Sequence, residues 1–113
     1  MTPRLTTEML VGALLRRADA AGGSLMVLDK GDPIAGTLLL QLMERGAFIG
    51  LFERMTSLDG TVSLVRCGPT ESRQISEITE YISRRRRSDP DFWLVELDIA
   101  NGERFAAETI ASA

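Results

Sequence analysis

The sequence predicts an α+β fold: a mostly antiparallel sheet of five or six strands with two helices packed on one face. Three observations carry this. Apolar residues recur at three- and four-residue spacing in two separate stretches, as amphipathic helices require. Between and after those stretches lie apolar runs of strand length. Tight-turn dipeptides join most of the runs, and short turns force neighbouring strands to pair antiparallel. The predicted order is helix, four strands, helix, then one or two strands, in a single domain spanning residues 1–113.

Thr6 or Thr7 caps the first helix, and Glu8 sits in its first turn, where the helix dipole favours an anion. Leu10, Ala13, Leu14, Ala18 and Ala21 form its apolar stripe, and Gly22-Gly23 stops it. Ser24–Leu28 is a short apolar strand, followed by a turn at Lys30–Pro33. Gly36–Met43 is apolar at nearly every position, the mark of a central strand covered on both faces. Arg45-Gly46 closes a hairpin into Ala47–Glu53, and Asp59-Gly60 a second one into a strand ending near Cys67.

Gly68-Pro69 breaks the chain before the second helix, which Thr70 caps with Glu71 in its first turn. Ile75, Ile78 and Ile82 are its buried stripe, and Asp89-Pro90 ends it, because a residue before proline avoids helical angles. In the fifth strand Trp93, Val95, Leu97 and Ile99 alternate with Phe92, Leu94, Glu96 and Asp98. Asn101-Gly102 reads as another hairpin signal, so Arg104–Ala106 is a candidate edge strand, with a frayed tail from about residue 108.

Composition bounds the chemistry. With 113 residues, 44% hydrophobic and 26% charged, the chain is globular rather than disordered. It is long enough to bury roughly two-thirds of its unfolded surface without staples. A net charge of −3 argues against general polyanion binding. Of the thirteen basic residues only Lys30 is a lysine, which reflects codon usage or arginine-selected recognition of carboxylate or phosphate. There is no histidine, which removes Ser-His-Asp and Cys-His catalysis and every His-containing zinc site. The single Cys67 rules out an intramolecular disulfide and a CxxC redox pair. No apolar run approaches the roughly 18 residues of a membrane span. The charge layout around Met9–Leu15 is wrong for a signal peptide, so the cytosol is the expected compartment.

Three segments, Gly31-Asp32-Pro33-Ile34-Ala35-Gly36, the arginine run ending the second helix, and Asp89-Pro90-Asp91-Phe92-Trp93-Leu94-Val95-Glu96, occur in an order and chain length that resemble a small bacterial family. That family is domain of unknown function 1491. The resemblance covers essentially the whole chain and rests most on the Asp-Pro-Asp-aromatic-Trp segment. It implies no activity, substrate or cofactor and carries over no catalytic residue.

Each candidate site competes with a structural reading. Asp89 and Asp91 could join Glu96 around magnesium or calcium, whose preferred ligands are hard oxygens. The neighbouring arginines neutralise them without a metal, and Asp before Pro commonly ends a helix. Arg84, Arg85, Arg86 and Arg87 could grip the phosphates of RNA or a nucleotide. They span a full helical turn, however, and point in all directions, and cations at a helix C-terminus are favoured anyway. The Gly31–Gly36 turn lacks the phosphate-binding motifs and leads into a strand. Cys67, with Arg66 beside it, is a candidate nucleophile but has no histidine base; a buried small hydrophobe is the plainer reading. Trp93 is either core or an anchor for a partner.

No catalytic residue, metal site or cofactor is assigned, and the chain leans away from being an enzyme. The expected role is a non-catalytic binding or protein-interaction module, with homodimer formation covering its strand edges. The alternatives are an RNA- or nucleotide-binding accessory protein using Arg84–Arg87, and a metal-dependent hydrolase built on Asp32, Asp89, Asp91 and Glu96.

Overall fold

The computed structural model describes residues 5–69 and 75–112. Its elements are α1 (Thr7–Ala20), β1 (Ser24–Asp29), β2 (Leu38–Glu44), β3 (Ala47–Thr56), β4 (Val62–Cys67), α2 (Ile75–Ser88), β5 (Trp93–Asp98) and α3 (Gly102–Ser112). The five strands form one sheet in the order β1-β5-β2-β3-β4. The class is α+β, but the sheet is mixed. β5 pairs antiparallel with β1 and parallel with β2, from Leu38 opposite Trp93 to Met43 opposite Asp98.

Three expectations are corrected. β5 is not appended at an edge; it is inserted between β1 and β2, which the turn at residues 30–37 leaves unpaired with each other. Its composition explains this. Phe92, Trp93, Leu94, Val95 and Leu97 are all buried, so the strand is apolar on both faces and must lie inside the sheet under cover from both sides. The helices also number three, not two. The segment expected as an edge strand and frayed tail is α3, with Ala106, Thr109 and Ile110 buried. Asn101 takes a left-handed backbone (φ 55°) and turns the chain into that helix, not into a hairpin. Finally, the two expected helices lie on opposite faces.

On one face α1 and α3 cover Leu38, Leu40, Leu42, Phe52, Trp93, Val95 and Leu97 with Leu10, Leu14, Ala106 and Ile110. On the other, α2 lays Ile78, with Tyr81 and Ile82, over Leu39, Leu51, Phe92 and Leu94. β2 is thus covered on both faces, as its nearly continuous apolar run requires. The expected cap Thr70, its neighbour Glu71 and the Ile75 side chain lie outside the described residues. Among the described residues no helix is long and apolar enough to cross a membrane.

The turns follow their residues. Arg45 (φ 51°) and Gly46 (φ 81°) close the β2–β3 hairpin with the two left-handed residues of a type I′ turn. Asp98 accepts both of their backbone N–H groups, at 2.9 and 3.0 Å. Thr6 caps α1 by accepting the Met9 N–H. In the β3–β4 turn Asp59 accepts from the Ser57 hydroxyl and the Thr61 N–H, which lowers its carboxyl to about pKa 2 from 3.8. A depressed folded-state pKa stabilises the native state above the unfolded value, and that contribution disappears as pH falls through about 2. A carbon-detected NMR titration is expected to find Asp59 still ionised at pH 3, and a midpoint near 4 would show the turn to be open in solution.

Candidate binding groove

Two of the three segments on which the family resemblance rests meet at one end of the sheet. The Asp32 N–H donates to the Asp91 carbonyl at 2.9 Å, and the Trp93 indole Nε1–H donates to the Asp32 carbonyl at 2.7 Å. A Cβ on Gly31 would stand 2.2 Å from the Asp91 carbonyl oxygen, and one on Gly36 would stand 2.6 Å from it, so both glycines are required for close backbone approach. The turn then satisfies the start of α1: the Thr7 and Glu8 N–H groups donate to the Ile34 and Pro33 carbonyls. The buried Thr7 hydroxyl donates to the Gly36 carbonyl at 2.7 Å. This junction is a structural lock.

The expected acidic residues do not form a metal centre. The Asp32 carboxylate accepts the Ile34 and Ala35 N–H groups, and Asp89 accepts that of Asp91, so both are spent on their own turns. Asp91 is exposed, and Glu96 lies on the α2 face of β5. Among the described residues no three acidic or cysteine side chains assemble as metal ligands.

The arginine run is divided. Arg85 pairs with Glu53 of β3 at 2.6 Å and donates to the Tyr81 hydroxyl at 3.1 Å. Arg86 pairs with Asp29 of β1 at 2.5 Å, its guanidinium carbon 4.1 Å from the centre of the Phe92 ring. Only Arg84 and Arg87 are exposed. The run therefore clamps α2 to the sheet at β3 and β1 and does not present four cations to a polyanion.

Trp93, 1% exposed, belongs to the core and is not a partner anchor. Burial pushes the Cys67 thiol up, only partly offset by its hydrogen bond with Tyr81 and by Arg85 nearby. The thiolate is the nucleophile, so alkylation by iodoacetamide at pH 7.5 is expected to run on the order of tenfold slower than for free cysteine. A rate equal to that of free cysteine would show this corner to be open.

Among the concavities that form, the one beneath α2 is not legible in the sequence as a site. α2 covers the sheet incompletely, leaving a groove of about 610 Å³ between itself and the β1–β5–β2 side. Leu28, Met43, Phe48, Ile78, Ile82 and Leu94 supply its apolar walls. Gln41 and Glu96 lie in its floor, opposite one another in the parallel β2–β5 register, and the Gln41 amide donates to Glu96 Oε1 at 3.2 Å. The groove opens beside the edge strand β1, where Met26 is 59% and Leu28 43% exposed.

Comparison with solved structures places the arrangement among known folds. A crystal structure of a DUF1491 family protein from Caulobacter crescentus CB15 is 34% identical and superposes with a TM-score of 0.74, covering 90% of this chain and 94% of that one. The NMR structure of a DUF1491 family protein from the same organism, also 34% identical, gives a TM-score of 0.73 over 92% and 94%. The solution structure of a protein from A. tumefaciens, 28% identical, gives 0.72 over 88% and 89%. No curated protein matches the chain. The family model described as "Protein of unknown function (DUF1491)" matches residues 5–107, and this chain belongs to that family.

Proposed function

We propose that the protein is a non-catalytic binding module of a bacterial cytosol, and that the groove beneath α2 receives its partner. One observation carries this reading. A groove of about 610 Å³ with six apolar side chains in its walls opens beside the edge strand β1, whose exposed residues Met26, Val27 and Leu28 are also apolar. Exposed apolar surface of this kind, containing a few placed polar groups, is characteristic of interaction sites. The spent carboxylates and the divided arginine run argue against the hydrolase and nucleic-acid alternatives.

The test is to titrate isopropanol, a neutral apolar probe, into ¹⁵N-labelled protein. Amide shifts are expected to concentrate at Leu28, Met43, Phe48, Ile82 and Leu94. Shifts scattered evenly over the surface would remove the groove as a binding site.

Self-association through β1 is the second reading, favoured by the exposure of Met26, Val27 and Leu28 on one edge strand. Antiparallel pairing of two β1 strands would cover that edge. Sedimentation from micromolar to submillimolar concentration decides it: a 12.4 kDa species throughout excludes the homodimer.

A further inference from the structure

The floor of the groove is chemically one-sided. Glu96 is the only charged residue in the Phe92–Leu97 run, and Gln41 the only polar one in Leu38–Leu42. These two face each other in the middle of the sheet, where an apolar pair would pack without a desolvation cost. The Gln41 amide nitrogen is engaged by Glu96 Oε1 and, at 3.9 Å, by the Met43 sulfur. That leaves one Glu96 carboxylate oxygen and the Gln41 amide oxygen as acceptors on the floor, while Thr79 and Ser83 of α2 add hydroxyls to the lining. Among the described residues Glu96 has no cationic partner. Arg85 and Arg86 of α2 are held by Glu53 and Asp29.

We infer that this groove recognises an arginine or lysine side chain carried on an apolar peptide segment of a partner protein, with Glu96 as the receptor for the cation. The inference rests on the groove being the binding surface proposed above. Glu96 carries the one charge among the residues that line this apolar groove, so an incoming cation finds an opposite charge there and its N–H donors find the Glu96 and Gln41 oxygens as acceptors. The arginine fork fits especially well, because it can donate to a carboxylate and a neighbouring amide oxygen at once. Leu28, Ile78 and Ile82 then receive the apolar neighbours of the basic residue. An extended segment is favoured because Leu28 belongs both to the groove and to β1, whose outer edge offers unpaired backbone groups to an incoming strand. An acidic peptide or nucleic acid would meet like charge.

The probes are three capped five-residue peptides: an arginine flanked by leucines and valines, the same peptide with neutral citrulline, and the same with glutamate. Each is titrated into the ¹⁵N-labelled full chain. The arginine peptide is expected to shift the amides of Leu28, Gln41, Ile82 and Glu96, with affinity at least tenfold above citrulline and no measurable binding by the glutamate form. Glu96→Gln, which keeps shape and hydrogen bonding, is expected to abolish the preference for arginine while leaving the spectrum of the free protein native. Equal affinity for arginine and citrulline would overturn the cation inference but leave the groove reading standing. Arginine-dependent shifts confined to Asp89 and Asp91, or no binding at millimolar peptide, would overturn the inference. In either case the isopropanol map decides the groove itself.

Discussion

Trp93→Ala is expected to cost about 3–5 kcal/mol, the largest single-residue loss in the molecule. The side chain is fully buried among Leu10, Leu14 and Leu38, so truncation leaves a cavity as well as a lost transfer energy. It also removes the indole N–H from the Asp32 carbonyl, which keeps only the Gly36 N–H at 3.2 Å. Against the 5–15 kcal/mol that stabilises a typical domain, this is a large fraction. Trp93→Phe separates the two contributions. It retains most of the volume and forfeits the hydrogen bond, so a loss of about 1–2 kcal/mol is expected. Urea unfolding measures both, and equal losses in the two variants would show that burial at this position contributes little. Because Asp32 also holds the turn that satisfies the first N–H groups of α1, hydrogen exchange at Thr7 and Glu8 should accelerate in both variants.

What the sequence disclosed about this region was its parts and not their meeting. The Gly31–Gly36 turn and the Asp89–Trp93 segment each stood out, but nothing in a linear pattern states that the Asp91 carbonyl comes to rest against Gly31. Strand faces were legible: the alternation in residues 92–98 assigns Trp93, Val95 and Leu97 to one side and Phe92 and Leu94 to the other, as found. Which helix covers which side was not legible, because an amphipathic stripe records that a face is buried and not against what. Two signals pointed the right way. Both Gly36–Met43 and Phe92–Leu97 are apolar on both faces, which demands two central strands and cover on two sides. The spacing of Phe105, Ala106, Thr109 and Ile110 is helical, but Asn101-Gly102 competes as a hairpin signal.

The candidate site was legible only in fragments. Glu96 stands out in the sequence, but as a ligand for a metal together with aspartates, of which Asp32 and Asp89 serve their own turns and Asp91 is exposed. Gln41 does not stand out as a site residue, although it is the only polar residue in Leu38–Met43. Its relation to Glu96 depends on a parallel pairing of strands 55 residues apart, which no local signal encodes. The groove itself depends on where α2 comes to rest, and that is set by Arg85 and Arg86, two members of a run that reads in the sequence as a helix-end cluster with local acidic partners, whereas the partners lie on β3 and β1.

That dependence gives the second large effect. Arg85→Met is expected to destabilise the protein by about 2–3 kcal/mol, below the 3–5 typical of breaking a fully buried pair, because Arg85 and Glu53 remain 21% and 17% exposed. The loss arises from leaving the Glu53 carboxylate desolvated without its cation, so Arg85→Met combined with Glu53→Leu should recover most of it. A double variant no more stable than the single one would mean that the arginine stem, not the charge pair, holds the helix. The effect should also be local before it is global. Among its described side chains α2 fully buries only Ile78, worth about 1.5–3 kcal/mol, so the ion pair with Glu53 rivals that burial as a fastening of the helix. Hydrogen exchange in Arg85→Met should therefore rise along α2 while β2 and β5 stay protected, and a uniform rise would sink this view of the helix as a separately fastened element. Since α2 forms one wall of the groove, the same substitution should weaken binding of the arginine peptide even though Arg85 does not line it.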